Sequence, residues 1–285
     1  MPAGSVTLSI DLELAWGNWD DLTSAQLDCV ETRERPIIAR LVELLDRHAF
    51  PATWAFVAAL LDSKAAAGRR GPQSAWHAPD VIEKIATART RHDLGSHSGH
   101  HLYFDRMSDA DADAELAYAA DLHGRHGLSL TSFVFPRNRV AKVGHLARHG
   151  IRVYRGTDPA WHQRIRNRSQ ALGRIANFAD KMLPITPPAV SADRSGPVAN
   201  LPGSMLLIGR GGVRRLISPA IVGRKLSAGL DRAAATGGTF HLWFHPSNFW
   251  FEPETQFGLF EAFLGQARSM TDQGRLSIRT MADFA

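Results

Sequence analysis

Val6-Thr-Leu-Ser-Ile-Asp-Leu-Glu13 decides how this chain is read. The run is apolar and rich in β-formers up to Ile10, so it predicts a first strand. Asp11 and Glu13 stand two apart at its end and therefore point to one face. Two nearby carboxylates can divide labour, one holding a cation while the other takes a proton.

The same design recurs outward from this strand. Pro36 to His48 reads as a helix with Ile37, Ile38, Leu41, Val42 and Leu45 at helical spacing. Ala52-Thr-Trp-Ala-Phe-Val is a second strand, Pro79 to Ala86 a helix and Asp93-Leu-Gly-Ser a third strand. Ser108 caps a helix through Glu115 and Leu122, and Ser132-Phe-Val-Phe is a fourth strand. A helix from Val140 to His149 is closed by Gly150, and Arg152-Val-Tyr-Arg is a fifth strand. An irregular, basic excursion at about 164–212 contains Pro184, Pro187, Pro188, Pro197 and Pro202. Beyond it come a helix from Ser218 to Ala235, the strand Thr239-Phe-His-Leu-Trp-Phe, a helix from Thr255 to Thr271 and the strand Leu276-Ser-Ile-Arg. Such alternation predicts an α/β fold of parallel strands covered by helices, with its chemistry at the carboxyl ends of the strands.

Composition agrees with one large globular unit. The chain has 285 residues, 44% of them hydrophobic and 21% charged, enough for a barrel of about 250 residues in one domain over 1–285. Its single cysteine, Cys29, excludes an intrachain disulfide and reads as a buried small residue or an inert surface thiol. The start of the chain shows no basic segment followed by a long apolar run, and no stretch approaches the roughly 18 apolar residues of a membrane span. The expected location is cytoplasmic, peripheral at the inner membrane face. Net charge is +5. Between Arg164 and Lys225, Arg166, Arg168, Arg174, Lys181, Arg194, Arg210, Arg214, Arg215 and Arg224 face only Asp180 and Asp193. No nucleic-acid-binding motif accompanies these cations, so no nucleic acid partner is expected; a solvated loop surface or contact with anionic glycolipid is.

Four constellations carry chemistry. Asp11 and Glu13 are the first. In Gly95-Ser-His-Ser-Gly-His-His, His97 and His101 are four apart, so one turn of helix is expected to put them on the same side, close enough to share one ion, while His100 points elsewhere. Phe133-Val-Phe-Pro-Arg-Asn places Arg137 and Asn138 past a strand, where an arginine beside Asp11 would favour its ionised form. His241-Leu-Trp-Phe-His-Pro-Ser-Asn ends a strand on His245, a group able to deliver a proton near neutral pH. Each constellation closes a different strand, and a barrel gathers those ends. Two histidines and one carboxylate on an ion, a base and an acid make a metal hydrolase, with zinc or a neighbouring divalent metal.

These motifs, in this order, resemble the polysaccharide deacetylase family, also called the NodB-homology or carbohydrate esterase family 4 group. Ser9-Ile-Asp-Leu-Glu stands where many members have Thr-Phe-Asp-Asp-Gly, and Pro51-Ala-Thr-Trp-Ala-Phe-Val is similar to the family's second strand. His97-Ser-Gly-His-His fits its His-Ser/Thr-x-x-His metal motif, Phe135-Pro-Arg-Asn its third motif and Leu242-Trp-Phe-His its last. The Pro-Arg-Asn and His-Pro-x-Asn forms resemble a cytosolic subgroup often found with glycan biosynthesis genes. The resemblance implies a distorted (β/α)7 TIM-like barrel and hydrolytic removal of an N-acetyl group from an amino sugar, in a saccharide or glycolipid. It implies Asp11 as base, Glu13, His97 and His101 as ligands of one divalent ion, Arg137 as the group orienting Asp11, and His245 as acid.

The sequence departs from the family twice. Asp-x-Glu replaces the adjacent Asp-Asp, and the fourth motif is echoed only by Asp158 and Trp161. Trp54, Trp243 and Trp250 are expected sugar platforms, with core packing as their other role, and Asn138 is an expected substrate contact. Three rival readings stand beside the deacetylase: a hydrolase of another small amide or ureide, a glycosidase using the paired carboxylates, and a glycan- or membrane-binding relative without activity.

Overall fold

The computed structural model describes residues 4–159 and 182–285. Five strands lie side by side in chain order: β1 (Gly4–Leu12), β2 (Thr53–Phe56), β3 (Asp93–Ser96), β4 (Ser132–Val134) and β5 (Val153–Gly156). β6 (Ala199–Pro202) extends the sheet beyond β5. On the other side, β8 (Thr239–Phe244) pairs with β1, and β7 (Met205–Leu206) with β8. All of these pairs are parallel.

β6 and β7 are two halves of one crossing. The Gly203 amide donates to Gly156 O at 3.3 Å on the β5 side, and the Ser204 amide donates to His241 O at 2.8 Å on the β8 side. Residues 199–206 thus bridge the two edges of the sheet as one stave, which gives the expected single-domain, distorted (β/α)7 barrel. β9 (Leu276–Arg279) pairs with β1 over Gly4–Thr7, below the point where β2 joins at Ser9.

Eight helices are described: α1 (Ser24–Cys29), α2 (Arg35–Arg47), α3 (Ser63–Ala66), α4 (Pro79–Ala86), α5 (Asp109–Arg125), α6 (Val143–Leu146), α7 (Pro219–Thr236) and α8 (Pro253–Asp272). Local chemistry starts and stops them. Proline occupies the first turn of α2, α4, α7 and α8, where a missing N–H costs nothing. The Ser108 hydroxyl accepts from the Asp111 amide to cap α5. The helix expected over 140–149 is only α6 followed by a 3-10 turn, ended as expected by Gly150 at φ 83.

β1 is buried along all nine residues. Val6, Leu8, Ile10 and Leu12 join one core with Leu41 and Leu45 of α2, Leu226 and Leu230 of α7, and Phe260 and Phe263 of α8. Truncating one such leucine to alanine costs about 2–5 kcal/mol. The alternate residues face the barrel interior: Arg155 of β5, which is no sheet neighbour of β1, reaches both Ser9 and Asp11. This lumen is therefore polar at its upper end.

The stretch at 164–212 needs correction. Residues 164–181, with five of its basic side chains, lie outside the described residues, as does Trp161. The remainder is not merely irregular, since it supplies β6 and β7, and Val190 and Asp193 form antiparallel bridges to Thr239 and Asn200. Strands of four and two residues, separated by Gly203 and Ser204, are too short to show a period. Cys29 is buried. No helix among the described residues is long and apolar enough to cross a membrane.

Candidate active site

The carboxyl ends of β1, β3, β4, β5 and β8 converge on Glu13. Its Oε1 lies 3.0 Å from His97 Nε2 and 3.0 Å from His101 Nε2. His245 Nε2 stands 3.4 Å from the same oxygen and 3.5 Å from Asp11 Oδ2. Five residues singled out in the sequence, Asp11, Glu13, His97, His101 and His245, thus share one cluster. Gly17 makes room for it, because a Cβ there would fall 1.9 Å from Glu13 Oε2.

Burial and charge oppose each other here. Burial raises the Asp11 carboxyl, but Arg155, then His245 and His97, hold it below the ordinary aspartate range. Burial likewise works against ionised Glu13, and His245 and His101 bring it well below the usual value. Desolvation lowers His101 despite Glu13, so its imidazole is neutral near pH 7. His245 behaves oppositely: burial disfavours its charge, yet Glu13 and then Asp11 push it up to about 9. A protonated His245 beside ionised carboxylates is a proton donor in position.

The donor set fits a divalent ion. The Val134 carbonyl lies 2.8 Å from His97 Nδ1 and can only accept, so Nδ1 carries the proton and Nε2 faces Glu13. His101 Nε2, although 3.0 Å from Glu13 Oε1, makes no hydrogen bond, and neither does its Nδ1. A fully buried imidazole with two unused nitrogens, one of them 3.0 Å from a carboxylate oxygen, is costly unless a cation joins that pair. Two imidazoles and one carboxylate are a zinc-type ligand set that leaves a position open. Asp11, Glu13 and His245 form a second, overlapping triplet; its Asp11 oxygens are both taken up by Arg155, whereas the nitrogens of His101 in the first triplet are unused.

Other expected positions come out differently. Arg137 does not orient Asp11. Its NH2 donates to Gly17 O at 2.9 Å and lies 3.7 and 3.8 Å from Asp20 and Asp21. Arg155 takes that place, donating to Asp11 Oδ1 at 2.7 Å and Oδ2 at 2.6 Å, with Ser9 Oγ at 3.0 Å. Asn138 Oδ1 accepts from Arg155 at 2.9 Å, so it supports this clamp. The sequence carried one signal for Arg155: a lone charge inside the strand Val153-Tyr-Arg-Gly requires a buried acidic partner.

Trp54 is no sugar platform. It sits in register with Ile10, shares that outward face, and is wholly buried in the core. Trp243 lies under the Arg155 guanidinium at 4.3 Å, and its Nε1 donates to both Asp158 oxygens at 3.1 Å. Its ring meets His245 edge-on at 6.0 Å. Trp250 Nε1 donates to Glu34 Oε2 at 3.1 Å. Glu34, which the sequence did not mark out, is buried, and desolvation followed by repulsion from Glu13 pushes it up to about 8. His241 is structural, held between Ser9 Oγ and Pro202 O.

The fold and this geometry define a class, the (β/α)7 barrels with a histidine–carboxylate centre at the strand ends. No family model matches the sequence, and no curated protein is similar to it. Solved structures are. A protein described as a polysaccharide deacetylase from Mycobacterium smegmatis superposes with TM-score 0.66 at 13% identity, covering 99% of this chain and 89% of that one. Another so described, from Pseudomonas aeruginosa PAO1, gives 0.64 at 14%, covering 98% and 89%. Puue allantoinase gives 0.63 at 15%, also covering 98% and 89%. The chain has the fold of the polysaccharide deacetylases, and that fold is shared with an allantoinase.

Proposed function

We propose that this protein is a metal-dependent hydrolase that removes the N-acetyl group from an amino sugar. The observation that carries the reading is Glu13 Oε1 at 3.0 Å from both His97 Nε2 and His101 Nε2, with Asp11 and His245 beside them. Glu13, His97 and His101 would hold one divalent ion, and zinc suits that set best. Such an ion supplies Lewis acidity to water and to a carbonyl oxygen.

The chain's own groups do the rest. Asp11, ionised and held by Arg155, takes the proton of the water that attacks the acetamide carbon. His245 gives its Nε2 proton to the nitrogen as the C–N bond breaks, leaving acetate and a free amine. The clamp on both Asp11 oxygens fixes the direction of proton transfer.

A second substrate class, another small amide or ureide, is favoured by the fold likeness to Puue allantoinase. A lipid-linked substrate met in the cytoplasm at the membrane surface is favoured by Val213 and Leu216, 70% and 66% exposed on either side of Arg214 and Arg215. Apolar side chains beside cations suit an anionic lipid interface.

Metal analysis of the purified chain, with acetate-release assays on free, nucleotide-linked and lipid-linked N-acetylhexosamines, tests the reading. Asp11→Asn is expected to keep the metal and lose turnover. Release of acetate at the wild-type rate by that variant rules out Asp11 as base. A metal-loaded wild type that releases no acetate but opens a cyclic ureide moves the assignment to the second class.

A further inference from the structure

His97 and His101 are held in different ways. The His97 ring is fixed by the Val134 carbonyl, whereas neither nitrogen of His101 has a hydrogen bond. With no hydrogen bond to fix it, the His101 ring is directed by the packing around it and by its backbone. That backbone is unusual. Ser98 and His101 both lie in the left-handed region, at φ 70 and 61. A non-glycine residue holds that conformation only where the surroundings impose it.

The Ser98 hydroxyl accepts from the His101 amide at 2.9 Å and Trp19 Nε1 donates to the His101 carbonyl at 3.2 Å, while α5 grips the residue before it. Glu115, buried at 6% exposure, accepts from the His100 amide through Oε1 and from His100 Nδ1 through Oε2 at 2.9 Å. Tyr118, one turn further on, stacks on the His100 ring at 4.3 Å and donates its hydroxyl to Asp62 at 2.8 Å. Gly99 fits only because it has no side chain, since a Cβ would lie 2.8 Å from Tyr118 and 2.9 Å from Glu115. Opposite, the Ala58 and Ala59 amides donate to the Ser98 and Gly99 carbonyls at 3.0 and 2.9 Å.

We infer that Glu115 is a positioning residue of the metal centre: by gripping both the backbone and the ring of His100, it turns His101 toward Glu13. The inference rests on the reading of Glu13, His97 and His101 as metal ligands. Glu115 touches no ligand atom and acts through the loop. A buried carboxylate that accepts from one residue's N–H and from its ring together fixes two rotations at once.

The test uses the full chain with Glu115→Ala and Glu115→Gln. Zn2+ affinity is measured by competition with a chromophoric chelator, Co2+ coordination by visible absorption, and folding by thermal unfolding in EDTA. Glu115→Ala is expected to weaken Zn2+ binding by about 10–100-fold and to change the Co2+ spectrum. Glu115→Gln, keeping one carbonyl oxygen for the His100 amide, is expected to recover part of that loss; if the alanine variant does not fold, the glutamine variant decides. Wild-type Zn2+ affinity and an unchanged Co2+ spectrum in the folded variants overturn the role of Glu115 and leave the metal centre standing. A wild-type chain that binds no Zn2+ overturns the metal reading and this inference with it.

Discussion

Replacing Arg155 by methionine is expected to damage stability and activity together. Arg155 is 1% exposed and Asp11 2%. The guanidinium makes two bonds to the carboxylate and one each to Ser9 and Asn138, and stacks on Trp243. Methionine fills much of the volume but takes from buried Asp11 the cation bonded to both its oxygens, leaving only His245 at 3.5 Å. Breaking a buried pair in this way costs ~3–5 kcal/mol. At roughly 2–4 °C per kcal/mol for a chain of this size, the midpoint should fall by about 6–20 °C.

The sign of the pH effect follows from the same balance. Removing Arg155 takes away the largest of the charges that hold Asp11 low, so its folded value rises. The contribution lost is the one Arg155 makes to ionised Asp11, which fades as pH falls and the carboxyl protonates, so the deficit is larger at pH 8 than near pH 4. Urea unfolding at both pH values, for wild type, Arg155→Met, Asp11→Asn and the double variant, measures this as a thermodynamic cycle. The double variant should recover part of the loss, because that buried charge is gone. A deficit below about 1 kcal/mol at pH 8, within the range of exposed ion pairs, or no coupling between the two sites, refutes the clamp.

Two further outcomes are expected. Glu34 retains its proton up to about 8, so its stabilising contribution is present below the unfolded value near 4.5 and is lost as pH rises toward 8. Glu34→Gln should therefore stabilise the metal-free protein by on the order of 4 kcal/mol at pH 8 and by little at pH 4.5, read from urea midpoints; equal midpoints at pH 8 would contradict the buried neutral acid. In sedimentation, the chain should follow anionic vesicles more than neutral ones, and Val213→Glu with Leu216→Glu should abolish the difference; equal sedimentation of the wild type with both removes the lipid interface.

Much of the fold could be read locally. Period-two runs, helix caps and first-turn prolines depend on neighbouring residues, and α2, α4, α5 and the strands β1 to β5 lie where those signals put them. The candidate ligands could be read only in part: Asp11, Glu13 and His97 sit where strands end and the barrel carries those ends to one place, but His101 comes to Glu13 through a loop with left-handed Ser98 and His101, not through one helical turn. The closing stave at 199–206 could not, because six strand residues split by a two-residue crossing show no period.

What lies across a barrel is not a local property. Sequence shows that Arg155 and Arg137 both follow or occupy strand ends, but only the register of seven strands decides which guanidinium meets Asp11. Trp54 shows the same limit: its strand was legible, yet its pairing with Ile10 rather than Asp11 turned the indole outward into the core. The sequence by itself determined which chemical groups stand at the strand ends. The tertiary structure alone decided which of them face one another, because side-chain parity is set within a strand and opposition is set by closing the ring.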